Sequence, residues 1–459
     1  GGWKRMNREQ GLIVSVSGIR GIVGEGLTPA AALAFAQALA SHSGGGRMVV
    51  SRDSRPSGIM LRHAVLAGLT AAGCEVYDIG VAPTPTVGVA VRQLHAVGGI
   101  QITASHNPAP WNGLKLFGPD GRVLSAGEGH NVQMRFERGT VRHVSWDAVG
   151  AVRDYRDAEE LHCRRILERI EGSRIRAAGL RVFLDANGGA GGPLGCRLLQ
   201  ALQVETTCYG CEADGVFRHE PEPTADNLRD LGPLVVAHQA DIGFALDPDA
   251  DRLALIDETG RYIGEELTLA LAVWFRLRHE RGPVVINMST SRISEDIAAK
   301  YGCACYRAAV GEANVADKML EVGAILGGEG NGGVLDPRLG LVRDPFIGMG
   351  LVLNLMAETG RKLSELVAEL PVYHIVKDKY AVAREYLPKL YDSLTQHWPD
   401  AAVDRLDGLR LDWPDRWLHI RPSNTEPIVR VIAEAPKQHE AMELCQFVGK
   451  LLRASEQTA

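Results

Sequence analysis

The chain is poor in the features that would set it outside the ordinary globular proteins. It carries 8 cysteines in 459 residues, too few and too scattered for a disulfide scaffold at this size. No apolar run approaches the roughly 18 residues of a membrane span. No signal-peptide pattern precedes Leu12, so the expectation is a cytoplasmic protein with no membrane partner. Long runs of like charge are absent, and the formal net charge is -6, which gives no basic footprint for nucleic acid. An anionic ligand must then be met by local groups. Two familiar catalytic loops are also missing, the Gly-x-Ser-x-Gly elbow and the glycine-rich loop ending in a Walker lysine. Residues 1–7 are expected to lie outside the fold, with Met6 a candidate start.

The balance of 45% hydrophobic and 23% charged residues is that of a folded globular chain, and the length suggests about three domains or more. Leu12 to Val16 reads as a strand leading into a loop, Ser17-Gly-Ile-Arg-Gly21, whose glycines let backbone approach a ligand and whose Arg20 can reach an anion, although a purely structural turn would use the same residues. Pro29 to Ala40 reads as a helix with proline in its first turn. A threefold layout follows. Met48 to Asp53, Arg181 to Asp185 and Val284 to Ser289 are each a buried strand emptying into a polar loop before a helix. Each has a downstream partner, Gly99 to Ser105, Asp241 to Asp247 and Val322 to Glu329, with room between for a helix, a strand and a second helix. Past Leu370 the pattern changes. A strand at Tyr373 to Val376, a helix at Val382 to His397, strands at Leu409 to Leu411, Trp417 to Ile420 and Ile428 to Ala433, and a helix from Gln438 to Ala454 suggest a separate α+β domain.

Each unit ends in one conspicuous loop. Alternation over Ile100, Ile102 and Ala104 delivers Ser105 to a strand exit, where open α/β sheets bind ligands. Ser-His-Asn-Pro also consists of ordinary turn formers, and His106 is poorly placed to serve a hydrolytic serine. The remaining chemistry is a serine that carries a phosphoryl group. Leu246-Asp-Pro-Asp-Ala-Asp-Arg252 sets Asp247, Asp249 and Asp251 on one side of an extended loop, a donor set for a hard divalent cation. The sixth position of a calcium hand must be glycine and here is Arg252, so magnesium sharing a phosphate oxygen is the better fit. Arg252 and Lys115 would add the positive charge that phosphoryl transfer needs. Gly327-Gly-Glu-Gly-Asn-Gly-Gly333 offers Glu329 and Asn331, an acceptor and a mixed donor and acceptor suited to sugar hydroxyls, although a flexible turn would use the same glycines. Arg421-Pro-Ser-Asn-Thr425 groups a guanidinium with hydroxyls and an amide, suited to a phosphate dianion. Cys208 and Cys211 could be paired with Cys303 and Cys305 as two halves of a zinc site, but each pair adjoins an apolar run, so buried inert thiols are expected.

Taken together, the four loops resemble the phosphoserine, magnesium, sugar and phosphate loops of the α-D-phosphohexomutase superfamily, in order and over essentially the whole chain. The resemblance implies an α/β protein of four domains around a central cleft: three related α/β domains at 1–155, 156–257 and 258–370 and a TATA-box-protein-like α+β domain at 371–459. It implies phosphoserine at Ser105, Mg2+ held by Asp247, Asp249, Asp251 and the Ser105 phosphoryl, and sugar contacts from Glu329 and Asn331. Arg421, Ser423, Asn424 and Thr425 would hold the non-reacting phosphate, and Arg20, His106, Lys115 and Arg252 would surround the transfer. The implied reaction interconverts hexose 6-phosphate and hexose 1-phosphate, with hexose 1,6-bisphosphate as intermediate and activator. Members acting on mannose, glucose or glucosamine phosphates often end the sugar loop in Ser-Gly-His. Here it reads Asn331-Gly-Gly333, which moves the role of that histidine toward Lys115, Arg20 or a carboxylate. The loops look closest to the archaeal-type branch labelled phosphoglucosamine mutase, with phosphomannomutase or phosphoglucomutase as the alternative. A sugar phosphatase would not need the distant second anion site, and a non-catalytic sensor would not need Ser105 with three aspartates. A small sugar phosphate is the expected partner, and a monomer or homodimer the expected state.

Overall fold

The computed structural model describes residues 11–423 and 427–456, so Asn424 and Thr425 lie outside the described residues. The threefold layout is realised element by element. In the first unit, strand Gly46–Arg52 leads through helix Gly58–Ala71, strand Cys74–Val81 and helix Thr84–Gln93 to strand Gly98–Ile102. The second runs from Arg181–Asp185 through Gly191–Ala201, Glu205–Tyr209 and Leu231–Ala237 to Ile242–Leu246. The third runs from Val284–Asn287 through Ile293–Lys300, Cys305–Ala308 and Glu312–Val322 to Leu326–Gly328.

In every unit the first and last of these strands pair in parallel, so both empty at the same edge of the sheet. The last strand then reverses into an antiparallel partner: Trp111–Phe117, Leu253–Asp257 and Val334–Leu335 respectively. The serine, acidic and glycine-rich loops are therefore the same connection in three copies, the reversal from the last parallel strand to its antiparallel neighbour.

Ser17 to Gly21, expected as a ligand loop, is mostly strand. Gly18–Ile22 pairs with Trp111–Phe117, setting Arg20 opposite Gly113. Gly18 serves strand packing, because a Cβ there would lie 1.8 Å from the Leu114 carbonyl oxygen. The fourth sheet is antiparallel, in the order His374–Ala381, Ile428–Ala435, Trp417–Pro422, Leu409–Asp412, Ala402–Asp404. Its first α-helix begins at Leu387, directly after a 3-10 turn at Arg384–Tyr386, rather than at Val382. Pro388 is tolerated in a first turn and would break a helix interior.

The second and third units share one core. Phe244, Leu246 and Leu253 pack with Leu269, Val284, Leu326 and Phe346 in a single buried cluster. Each such side chain contributes roughly 1.5–3 kcal/mol on burial, which fixes the acidic turn against the glycine-rich loop. The fourth domain has its own core, with Leu390, Leu418, Val431 and Val448. Its polar contacts to the third unit include Arg292 N donating to Glu434 Oε1 at 2.8 Å and a 2.7 Å bond between Ser289 Oγ and His419 Nδ1. No described helix is long and apolar enough to cross a membrane.

Candidate active site

Ser105 is buried and takes the left-handed conformation, φ 52°, which is uncommon for a residue with a Cβ. The surroundings enforce it. Ser105 N donates to Thr103 Oγ1 at 2.9 Å, and Thr103 Oγ1 donates to Asp53 Oδ2 at 2.6 Å. Asp53 also pairs with Arg55 at 3.1 Å. The Arg55 guanidinium donates to the carbonyls of Ser105, Asn107, Pro108 and Trp111 at 2.7 to 3.1 Å. One buried cation thus gathers the whole serine loop. Arg20 adds a 3.1 Å bond to Asn107 Oδ1.

The Ser105 hydroxyl donates to Asp247 Oδ2 at 3.3 Å and stands 3.4 Å from His106 Nδ1. Burial, reinforced by Arg252, pushes His106 down to about 4, so its imidazole is neutral at neutral pH. The three aspartates converge, though not through the expected extended alternation. The backbone turns at Pro248 and Asp249, and Ala250 takes φ 52°. Asp247 Oδ1 closes the turn by accepting from Asp251 N at 3.1 Å and Arg252 N at 3.0 Å.

Three buried carboxylates cannot sit together without cations. Lys115 Nζ donates at 2.9 Å to Asp249 Oδ2 and at 2.9 Å to Asp251 Oδ2, and Arg343 Nη2 donates to Asp251 Oδ2 at 2.6 Å. Burial alone would raise Asp251, but Arg343 and Lys115 outweigh it and hold the carboxyl well below the usual range. Asp247 is raised by burial and by the charges of Asp249 and Asp251. One ligand oxygen from each aspartate lies within 4.8 Å of the others. Asp249 Oδ1 and Asp251 Oδ1 are buried with no protein hydrogen bond. Orphaned carboxylate oxygens beside a serine hydroxyl fit a hard, oxygen-seeking divalent cation.

The glycine-rich loop adjoins this turn. A Cβ at Gly332 would come 2.0 Å from the Leu253 carbonyl oxygen, so only glycine permits the approach. Glu329 Oε1 accepts from Asn287 Nδ2 and Gly311 N, both at 3.0 Å, and Glu329 faces Arg343 at 3.5 Å. Asn331 Oδ1 accepts from its own loop, from Gly333 N at 3.2 Å. In the fourth domain Arg421 Nε lies 3.2 Å from Asp407 Oδ2, and the same carboxylate oxygen accepts from Val310 N at 2.9 Å. Arg421 is thereby linked, through Asp407 and the Val310 to Gly311 backbone, to Glu329 and on through Arg343 to Asp251. Ser423 is buried at the end of its strand, and Arg384 donates to its carbonyl at 2.9 Å.

Arg252 differs from expectation. Its guanidinium is engaged by Glu265 at 3.0 and 2.7 Å, so it braces the turn from the side and meets Asp247 only through its backbone N–H. Arg343, Arg55 and Thr84, whose Oγ1 donates to Asp249 Oδ2 at 2.6 Å, escape a reading based on polar loops. The cysteine expectation is corrected as well. Cys208 is exposed, Cys211, Cys303 and Cys305 are half-buried, and Cys208 and Cys211 associate with Cys196 rather than with Cys303 and Cys305.

Models of the four domains of phosphoglucomutase/phosphomannomutase match in order: the α/β/α domain I at residues 11–142, domain II at 160–260, domain III at 264–373 and the C-terminal domain at 394–450. The chain belongs to this family. As one of the phosphohexomutases, it is an isomerase. A Methanopyrus kandleri protein named probable phosphoglucosamine mutase is 36% identical over 453 residues, covering 97% of this chain and 99% of its own. A Thermococcus kodakarensis protein named phosphoglucomutase/phosphomannomutase is 35% identical over 451 residues, covering 96% and 98%. Among solved structures, a phosphoglucomutase/phosphomannomutase family protein from Burkholderia thailandensis superposes with TM-score 0.83 at 28% identity, covering 97% of this chain and 98% of its own.

Proposed function

We propose that this phosphohexomutase interconverts the 6- and 1-phosphates of a hexose, most specifically glucosamine phosphate, through a phosphoryl group carried on Ser105. The observation that carries the reading is the Ser105 hydroxyl set 3.3 Å from Asp247, beside two aspartates that each keep one buried oxygen without a protein hydrogen bond. A magnesium ion held there by Asp247, Asp249 and Asp251 would neutralise charge on the phosphoryl oxygens. Lys115, kept as an ammonium by Asp249 and Asp251 at 2.9 Å each, is better suited to bind charge than to accept a proton. His106 Nδ1, 3.4 Å from the serine oxygen, is placed to exchange a proton with Ser105 Oγ as the phosphoryl leaves and returns. The proton of the sugar hydroxyl, on the opposite side of phosphorus, passes to solvent or a phosphoryl oxygen.

In the first half-reaction the bond between phosphorus and Ser105 Oγ breaks and a bond to the free sugar hydroxyl forms, giving hexose 1,6-bisphosphate. After this intermediate turns end for end, its other phosphate returns to Ser105. Throughout, Arg421, Ser423, Asn424 and Thr425 would grip whichever phosphate is not reacting, and Glu329 and Asn331 would bind sugar hydroxyls. Occasional loss of the bisphosphate leaves a bare serine, so the free bisphosphate would act as activator.

The glucosamine reading rests on the loops and on the Methanopyrus kandleri relative's name. The Thermococcus kodakarensis relative's name supports mannose or glucose phosphate as the alternative. A coupled assay of glucosamine, mannose and glucose 6-phosphates, with magnesium and catalytic hexose 1,6-bisphosphate, decides between them. Highest kcat/KM on glucosamine 6-phosphate is expected; a preference for mannose or glucose would replace that assignment.

A further inference from the structure

Away from the cleft, three thiols meet on the second unit. Cys196 lies in helix Gly191–Ala201, Cys208 on strand Glu205–Tyr209, which is an edge of its sheet, and Cys211 just past the turn that follows. Two glycines bring them together. Gly210 takes φ 64°, and a Cβ there would meet Gly188 N at 2.7 Å; this turn folds Cys211 back beside Cys208. A Cβ on Gly192 would lie 2.3 Å from the Cys211 carbonyl oxygen, so the helix approaches the turn as closely as only glycine allows. Cys196 is four residues further along that same helix face. The result is a Cys196 Sγ to Cys208 Sγ distance of 3.1 Å, with one sulfur from each of the three residues within 4.8 Å of the others.

We propose that Cys196, Cys208 and Cys211 form a binding site for a soft, thiophilic metal ion. Zinc takes thiolate ligands at about 2.3 Å, in tetrahedral sites, so sulfurs in this spacing close on one ion through small side-chain rotations. A disulfide, at about 2.05 Å between sulfurs, would use two of the thiols and leave the third without a role. The donors are all sulfur, which selects zinc or monovalent copper over magnesium, whereas the aspartate turn is all oxygen and selects the reverse. Cys208 is exposed, which opens the group to an ion from solvent and leaves room for water as a fourth ligand. Cys303 and Cys305 are not part of this group.

The test is titration of the reduced full-length protein with cadmium under anaerobic conditions, with magnesium saturating the oxygen site. One equivalent should bind with a thiolate-to-metal charge-transfer absorption and raise the melting temperature. Cys196→Ser, Cys208→Ser and Cys211→Ser should each lose both signals, and the Cys303→Ser/Cys305→Ser double variant should keep them. Cys208→Ser alters an exposed side chain, so an unchanged melting temperature without metal shows that it is folded. Binding without the charge-transfer band, or a band that survives all three substitutions, would overturn the site. So would a Cys196 to Cys208 disulfide that forms in air at the same rate with and without the ion. None of these readouts involves Ser105 or turnover.

Discussion

Thr84 Oγ1 donates to Asp249 Oδ2 across 2.6 Å, tying the helix Thr84–Gln93 of the first unit to the acidic turn of the second. Thr84 N donates to the Asp249 carbonyl as well, at 2.8 Å. The hydroxyl orients an aspartate that would ligate metal, and such supporting bonds typically change metal affinity about 10–100-fold. Thr84→Val should therefore raise the magnesium concentration needed for half-maximal activity by about that factor. Activity at saturating magnesium should change far less. An unaltered magnesium dependence would remove Thr84 from the metal site.

Arg55 is buried with Asp53 and donates to four carbonyls of the serine loop. Arg55→Met leaves Asp53 as an unpaired buried charge, which costs about 3–5 kcal/mol. Chemical denaturation should show a loss of that order together with collapse of turnover. A variant of near wild-type stability would contradict the account of how the loop is held.

Arg421 offers a planar fork to a phosphate, and lysine cannot reproduce it. Losing one or more charged hydrogen bonds, each about 1.5–3 kcal/mol, should raise KM for the hexose phosphate at least about tenfold in Arg421→Lys. Steady-state kinetics check this, and KM unchanged with kcat reduced would place Arg421 at the transfer site instead.

Glu266 lies under the glycine-rich loop, where a Cβ on Gly330 would come 2.1 Å from its Oε1. Burial pushes this carboxyl up to about 8. The folded protein then holds a proton that the unfolded chain releases, so this group's stabilising effect is complete below the ordinary carboxylate pKa and is lost as pH rises toward about 8. Unfolding free energy should fall across that window, and Glu266→Gln should flatten the fall. Parallel pH profiles for the two proteins would refute the assignment.

The loops were legible in the sequence because their chemistry is contiguous. Ser105 at a strand exit and three aspartates in five residues need no tertiary knowledge to be noticed. The threefold layout was legible because each buried strand reads as an apolar run that empties into a polar loop, with a helix, a strand and a second helix fitting in between. Thr84, Arg55, Glu312 and Arg343 were not, since each acts through a partner far along the chain: Arg343 meets Asp251 at 2.6 Å, and its backbone N–H is bound by Glu312 at 2.5 Å. Ser17 to Gly21 misled because glycine signals both ligand approach and close strand packing, and here Gly18 serves the second. Cys196 was overlooked because helix geometry, not sequence proximity, brings it to Cys208 and Cys211.

The central claim is that Ser105 lends and recovers a phosphoryl group. Peptide mass spectrometry after brief incubation with glucose 1,6-bisphosphate and magnesium tests it most directly. One phosphoryl group on Ser105, removed when excess hexose monophosphate is added and absent from an inactive Ser105→Ala protein, is the predicted result. Phosphate on another residue, or a Ser105→Ala protein that still interconverts the two phosphates at the wild-type rate, would contradict it.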